Sequence, residues 1–347
     1  MTVSPETQRS IVSKANLAPS VHNTQPARWR FREGLIEVLA DTKRFLSVGD
    51  PLGNDAGLSC GAAVEGTILA LAQHKIGVGA VHDEWNSTSF SEDGLRRAAR
   101  IELAGPAQVD PLAEYIDDRF TWRGKFDPVA KEKLELLKNY VEETKFLNMA
   151  TEREDISWLA ELNDTLSLKF FSDKPYRNEL VSWMRLSKKD PNWSQDGLNA
   201  SSMQMTAIEA LGAKLVLSDA GFEIARALKM ARMLISEGEA TLSASGVAFF
   251  HAPPELSPIE VGRAFYRCWL ELTRIGLVCW PMAILADDPD SNSFCRQKFE
   301  LPKNHRLVNL FRFGKCSNDA LRATTARLSA DALIPVSYTH LTLPTKA

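Results

Sequence analysis

The sequence predicts an α+β protein built from two related halves. Three observations lead there. Amphipathic helical patterns are interspersed with short apolar strands, and no G-x-G-x-x-G follows a strand, so a parallel nucleotide-binding sheet is not supported. Two apolar helices carry a faint repeat: Gly61-Ala62-Ala63 runs into Leu69-Ala70-Leu71 and ends at Gly77, while Gly262-Arg263-Ala264 runs into Leu270-Glu271-Leu272 and ends at Gly276. Small residues at a helix start permit close approach of another backbone or a flat ligand, and their recurrence suggests a duplicated unit. Between the two copies, 104–112 (Ala-Gly-Pro-Ala-Gln-Val-Asp-Pro-Leu) reads as a linker.

The elements follow in order. Ser4 caps and Pro5 opens a helix over 5–18. Ser20-Val21-His22-Asn23-Thr24-Gln25-Pro26 is too polar for a core strand and suits either a capping loop or a loop that hydrogen-bonds a ligand. Trp29-Arg30-Phe31 and Leu35-Ile36-Glu37-Val38-Leu39 form a hairpin around Glu33-Gly34. Gly57-Leu58-Ser59-Cys60-Gly61 matches G-x-S-x-G, but a loop precedes it where a nucleophile elbow needs a strand, so a serine hydrolase is set aside. In the second half, Asp127 reads as N-cap and Pro128 as first residue of a helix over 127–143. Helices are expected over 155–170, 177–187, 203–211 and 219–236, and buried strands at 246–250 and 307–313. The polar stretch 187–202 is a candidate lid or a plain surface loop.

Composition narrows the function classes. The 347 residues are 44% hydrophobic and 24% charged with a net charge of -3. That is globular composition, enough for one large domain or two ordinary ones. A near-neutral balance argues against nucleic acid or an anionic membrane as the main partner. Apolar runs such as 66–72 fall short of the roughly 20 residues a membrane span needs. The start, Met1-Thr2-Val3-Ser4-Pro5-Glu6, lacks the basic and apolar regions of a secretory signal. Cys60, Cys268, Cys279, Cys295 and Cys316 form no C-x-x-C and meet no His at ligand spacing, which argues against zinc and for a reduced, cytoplasmic setting. Residues 336–347, opening Val336-Ser337-Tyr338-Thr339-His340-Leu341, read as a translated sequencing-adapter tail rather than a genuine polar terminus and are set aside.

The run Arg119-Phe120-Thr121-Trp122-Arg123 carries the sharpest chemistry. In an extended backbone its two arginines and threonine share one face. Two guanidinium forks and a hydroxyl on one face can grip a terminal phosphate in a way lysine cannot copy. The plain alternative is a pair of solvated arginines ahead of a helix.

Together these segments resemble the nitroreductase family of flavoproteins. Arg119-x-Thr121-x-Arg123 resembles its R-x-S-x-R/K segment, and Pro19-Ser20-Val21-His22-Asn23-Thr24-Gln25-Pro26 its P-S-x-x-N-x-Q-P-W segment. The stretch from Gly262 to Gly276-Leu277-Val278-Cys279-Trp280 and the run Arg312-Phe313-Gly314-Lys315 resemble two later segments of the family. Ordinary members carry the arginine segment first, in short chains that dimerise around their flavins. Here the order is reversed, which resembles the twin-domain, Acg-like branch, where one chain imitates the dimer.

The resemblance implies a nitroreductase-like fold in two tandem halves, 1–108 and 109–335, forming an intrachain pseudo-dimer, with an insertion around 144–245. It implies one FMN between the halves. Arg119, Thr121, Arg123 and the late Arg327 (Arg322 is its competitor) would hold the phosphate. Ser20, Asn23 and Gln25 would reach the ring or ribityl chain. The first half lacks its own arginine segment, so a symmetric second FMN is doubtful, and Ala27 stands where the family has Trp. The implied activity is ping-pong hydride transfer from NAD(P)H through FMN to a small-molecule acceptor. An FMN-sequestering protein with a covered ring is the alternative, and a tailoring dehydrogenase the third. His22 would either titrate near neutrality or sit packed in its loop. The assembly would be a monomeric pseudo-dimer or a homodimer.

Overall fold

Two antiparallel sheets, with helices packed on them, and a short parallel pair, Met184–Arg185 with Leu198–Asn199, make up the computed structural model, which describes residues 1–87, 94–316 and 326–335. This is the expected α+β class. The first sheet orders its strands Ala27–Arg32, Leu35–Ala40, Arg96–Pro106, Ile76–Asp83. The predicted hairpin is its first pair. Alternation puts Trp29 and Phe31 on the core face with Val38 and Ile36, and turns Arg28 and Arg30 to the other, where Arg30 meets Glu37 at 3.4 Å. Helices Pro5–Ala15 and Asn54–Gln73 cover the core face through Ile11, Val12, Cys60, Val64 and Leu71.

The second sheet orders Val278–Pro281, Arg306–Cys316, Gly246–Ala252, Leu147–Ala150, and Phe126–Asp127 also pairs with Arg306–Cys316. Phe265, Trp269 and Leu272 of helix Pro258–Ile275 pack on Phe250, Phe311 and Phe313 on one face. Leu159 and Leu166 of helix Arg153–Ser172 pack on Phe249 and Leu310 on the other. Burial on both faces is why these strands read as continuous apolar runs.

Several expectations change. The first helix stops at Ala15, capped by Asn16. Phe126 and Asp127 are taken by the sheet, pairing with Cys316 and Lys315, so the next helix begins at Lys131 instead of after an Asp127 cap. Residues 104–106 complete a strand, and Pro111–Tyr115 is a 3-10 helix capped by Asp110, which leaves only 107–110 as linker. The G-x-S-x-G segment lies inside helix Asn54–Gln73, where Ser59 Oγ donates to the Asp55 carbonyl at 2.7 Å; no elbow exists there. The adapter-like tail at 336–347 and Arg322 lie outside the described residues.

The repeat becomes a structural feature. Helices Asn54–Gln73 and Pro258–Ile275 pack directly against each other. A Cβ on Gly61 would fall 2.3 Å from the Ile259 carbonyl oxygen, and one on Gly262 would fall 2.1 Å from that of Leu58. Each glycine thus faces the carbonyl three residues before the other, a reciprocal contact of the kind a two-fold axis produces. Leu69 and Leu270 share the cluster between the helices, while Leu71 joins the first core and Leu272 the second. Of the two uses proposed for the small residues, backbone approach is the one realised. Helix Asn54–Gln73 is long and apolar enough to cross a membrane, and it is apolar because most of its surface is buried in the protein.

Residues 326–335 return to the first core. Ala330 and Leu333 are buried in it, and Asp331 pairs with Arg9 at 2.7 Å. That return brings Arg327 back to the turn after the first helix.

Candidate functional site

The arginine run lies beside the second sheet. Thr121 forms a parallel bridge to Cys279, and Trp122 N donates to the Cys279 carbonyl at 3.0 Å. Phe120 and Trp122 join an apolar cluster with Phe126, Ala244, Cys316, Val278 and Trp280. Their partners in the alternation, Arg119, Thr121 and Arg123, are thereby directed to the opposite side. Gly124 ends the run because a Cβ there would meet the Trp122 ring at 2.6 Å.

The other predicted residues gather on the turn at 16–25. His22, Asn23 and Gln25 adopt left-handed conformations, with φ of 45°, 56° and 51°. Such residues cost about 1 kcal/mol or more each and persist only when their surroundings fix them. Here Ser20 Oγ accepts from Gln25 N at 3.1 Å, and Ser59 Oγ, on the first core helix, accepts from Val21 N at 3.2 Å. Asn23 Nδ2 donates to the carbonyls of Gly197 and Ala326, both at 3.0 Å. Gln25 Oε1 accepts from Asn16 Nδ2 at 2.8 Å and Leu328 N at 2.9 Å, and Gln25 Nε2 donates to the Gln195 carbonyl at 2.9 Å. The strained turn is therefore clamped by the C-terminal segment and by the stretch at 187–202. That stretch is a strap laid over the turn.

The guanidinium groups fall in two pairs: Arg119 and Arg327 at the turn itself, and Arg123, whose charge acts on His22, with Arg312 on the Trp280 face of the sheet. Arg119 stacks over Trp269, 4.8 Å from the ring centre, and donates to the Leu17 carbonyl at 3.1 Å. Arg327 reaches the same carbonyl at 3.2 Å and also donates to the Asn16 carbonyl at 2.6 Å and to Asn23 Oδ1 at 2.7 Å. Burial, and then the charge of Arg119, lower Arg327 to about 9. In the second pair, Arg123 makes one long contact, 3.4 Å to the Ser202 carbonyl. Burial lowers Arg123 to about 10; Glu237 opposes that shift, and Arg312 and Arg119 add to it. Arg312 is fully buried, stacked 4.2 Å from the Trp280 ring centre and paired with Glu237 at 2.5 Å.

Arginines with so little counter-charge favour an anion, because a bound dianion would offset the burial and the like-charge repulsion that lower Arg123 and Arg327. The three predicted arginines thus gather at the turn that carries Ser20, Asn23 and Gln25, with Thr121 between Arg119 and Arg123, and sequence reasoning missed Arg312, which acts on Arg123 from beside Trp280. The sequence held a signal for it: an arginine at an inward position of Leu310-Phe311-Arg312-Phe313 is out of place in a buried strand unless it is used. A separate cavity of about 270 Å³ lies at the first core helix's N-terminus, lined by Asp50, Asp55, Asp287, Leu58, Val261 and Arg306. Burial, reinforced by Asp50, lifts Asp55 to about 7, and a wall rich in carboxyl groups is a poor seat for phosphate.

His22 is packed, not titrating near neutrality: burial and then Arg123 lower it to about 4, against a smaller opposing effect of Glu179. His251 is lowered to about 4 by burial and by His305, whose Nδ1 lies 2.8 Å from its own. Both folded-state values lie below the unfolded 6.5. Their contribution is therefore complete above pH 6.5 and declines as pH falls towards 4, by roughly 2–3 kcal/mol for each group. Urea midpoints should drop across that window, and His251→Gln should flatten the profile; a midpoint constant from pH 7 to 4 would refute the assignment.

No family model matches the chain. Sequence comparison finds two Mycobacterium tuberculosis proteins provisionally named NAD(P)H nitroreductases. Rv3131 is 42% identical over 67 residues, 19% of this chain and 20% of the relative. The protein named acg is 36% identical over 70 residues, 20% of this chain and 21% of the relative. Part of this chain is nitroreductase-like in sequence. The matched segments span about a fifth of these relatives. Among solved structures, Mycobacterium smegmatis NfnB, an FMN-dependent nitroreductase in complex with NADPH, is 18% identical, with 68% of this chain and 98% of that chain covered and a TM-score of 0.34. A provisionally named nitroreductase from Anabaena variabilis is 10% identical, with 90% of this chain and 74% of that chain covered and a TM-score of 0.40. The nitroreductase resemblance read from the motifs is thus shared with the names of the curated relatives.

Proposed function

We propose that the chain is an FMN-binding oxidoreductase of the nitroreductase type, of the twin-domain form, with halves 1–108 and 109–335. The observation that carries this reading is the gathering of Arg119, Arg123 and Arg327 around a turn supplied by the other half, with the charge of Arg119 acting on both Arg123 and Arg327. The names of the curated relatives point the same way. The residues suit a phosphate monoester: buried, positively charged, and offering fork-shaped donors. Redox chemistry, two-electron transfer from NAD(P)H to a small-molecule acceptor in ping-pong order, is what FMN supplies when bound.

The protein's own share is binding and orientation. Arg119, Thr121 and Arg123 hold the phosphate. Ser20, Asn23 and Gln25 form the neutral wall, with Asn23 and Gln25 already spending their amides on the strap and C-terminal segment. Arg327 fixes that wall by bonding Asn16, Leu17 and Asn23 and lends its charge to the site. The strap excludes water while closed and must open for a nicotinamide to enter. Five free, buried cysteines suit a reducing cytoplasm.

Purified protein should take up FMN, show a bound-flavin spectrum, and bleach with anaerobic NADPH. A protein that takes up no FMN refutes the reading. Arg123→Ala should weaken FMN binding by about 1.5–3 kcal/mol while leaving riboflavin binding unchanged, measured by quenching of flavin fluorescence. Equal losses for both flavins would place the phosphate elsewhere.

A further inference from the structure

Three short helices in succession, Ala207–Val216, Asp219–Ala227 and Ala231–Ile235, follow the strap. Their inward sides are anchored. Phe222, Ala225 and Ala231 pack with Leu168 and Phe171 of helix Arg153–Ser172, and Ala210 is buried. Their outward sides are apolar too: Ile208, Leu211, Leu215, Ile224, Leu228 and Met233 are 60–83% exposed. Of the fifteen exposed large hydrophobic side chains among the described residues, nine fall within 208–242, so the exposure is concentrated in one region and not scattered. A helix that is apolar on both sides calls for a partner on each. The first of the three is firmly closed at its start, where Thr206 Oγ1 accepts from Glu209 N at 3.2 Å and the Glu209 carboxylate accepts from Thr206 N at 2.8 Å.

Area and charge identify what covers the outward side. Six side chains this exposed present roughly 500–800 Å² of apolar surface. That is at or above the largest patch a monomer usually leaves bare, and close to the roughly 800 Å² that each partner of a stable dimer contributes. Residues 207–235 hold four basic and three acidic side chains, a net of +1. Glu223 pairs with Arg226 at 3.5 Å, and Arg232 with Glu161. A surface so balanced can face its own copy without repulsion, and it lacks the basic excess that draws an anionic lipid surface.

We propose that this side is a homodimer interface, on which a second copy of the chain docks across a two-fold axis. Ile208, Leu211 and Leu215 stand at i, i+3 and i+7, the spacing of a seam that packs against another helix. Helix Ala207–Val216 forms the centre, because Ala210 is the one residue it buries in its own chain. An axis through its middle lays two such stripes antiparallel, with Leu211 against the partner's Leu211. None of these residues belongs to the arginine site, so the interface stands apart from the flavin reading.

Sedimentation equilibrium of the full chain, read across micromolar concentrations, tests it. Wild type should be dimeric. Leu211→Glu sets like charges face to face across the axis and should weaken self-association about tenfold or more; Leu211→Lys should do the same. Mixed in equal amounts, the two variants should associate again, because opposite charges then meet at the axis. A wild type that stays monomeric overturns the proposal, and binding of that monomer to neutral phosphatidylcholine vesicles would make the side a lipid contact. Leu211→Glu that dimerises as wild type does also overturns it, and so does a mixture that fails to associate. If Leu211→Glu does not fold, Ile208→Glu decides: unchanged dimerisation in that folded variant overturns the proposal.

Discussion

Gly262→Ala should lower the stability of the chain by about 3 kcal/mol, the upper end of the range in which forced overpacking and backbone displacement fall. The new methyl carbon would lie 2.1 Å from the Leu58 carbonyl oxygen and 2.9 Å from the Gly61 Cα. Neither is a side chain that can swing away, so the two core helices must separate along the contact. Separation would loosen Ala62, Leu69, Tyr266 and Leu270, the buried cluster between them. Gly61→Ala should cost about as much, because its methyl would fall 2.3 Å from the Ile259 carbonyl oxygen. Gly212→Ala supplies the control. It lies in helix Ala207–Val216 with nothing within 4 Å of the added carbon, and should stabilise the chain by about 0.5–1 kcal/mol. Urea denaturation of the three variants reads the comparison, and a Gly262→Ala midpoint within error of wild type would remove the reciprocal contact from the account.

The same contact shows what a sequence can reveal. Glycine at equal places in two helices was visible as a repeat, because close backbone approach demands a residue without a side chain. The alternation of Arg119, Thr121 and Arg123 with Phe120 and Trp122 was visible for a similar reason: a half-buried extended segment has to separate its polar and apolar residues. Asp127-Pro128 misled because a good N-cap and a good first residue are local signals, while pairing of Phe126 with Cys316 comes from far along the chain. The strands Ile76–Asp83 and Arg96–Pro106 were not legible as a pair, since their partners are chosen by sheet registry rather than by their own composition. At the site, the residue types were readable but their hydrogen bonds were not. Nothing in the sequence says that Gln25 answers to Asn16, Leu328 and Gln195 at once, or that Arg327 is held by Asn16, Leu17 and Asn23 while Arg312 pairs with Glu237.

Asp196→Ala should release the strap. Asp196 is 4% exposed and holds three guanidinium contacts: Arg185 Nη2 at 2.8 Å and Nε at 3.1 Å on Oδ1, and Arg44 Nη2 at 3.1 Å on Oδ2. Arg44 also donates to the Thr24 carbonyl at 2.7 Å, so this carboxylate ties the strap to the strained turn itself. Removing it leaves the buried Arg185 with only Asp190, 3.9 Å away, as a carboxylate neighbour, a change that costs up to about 3–5 kcal/mol if the structure stays closed. The strap has a cheaper course, because Arg185 can recover hydration when 187–202 lifts away, and opening then caps the loss. The two core helices and both sheets do not need the strap for their packing, so the melting transition should move little while the strap becomes accessible. Limited proteolysis should therefore cut Asp196→Ala within 187–202 well before wild type, and bound FMN should exchange faster without a matching loss of phosphate-dependent affinity. Protection of 187–202 equal to that of wild type would mean that Asp196 does not hold the strap, and that the closure rests on its other contacts, such as those of Asn23, Gln25 and Arg327 with Gly197, Gln195 and Ser194.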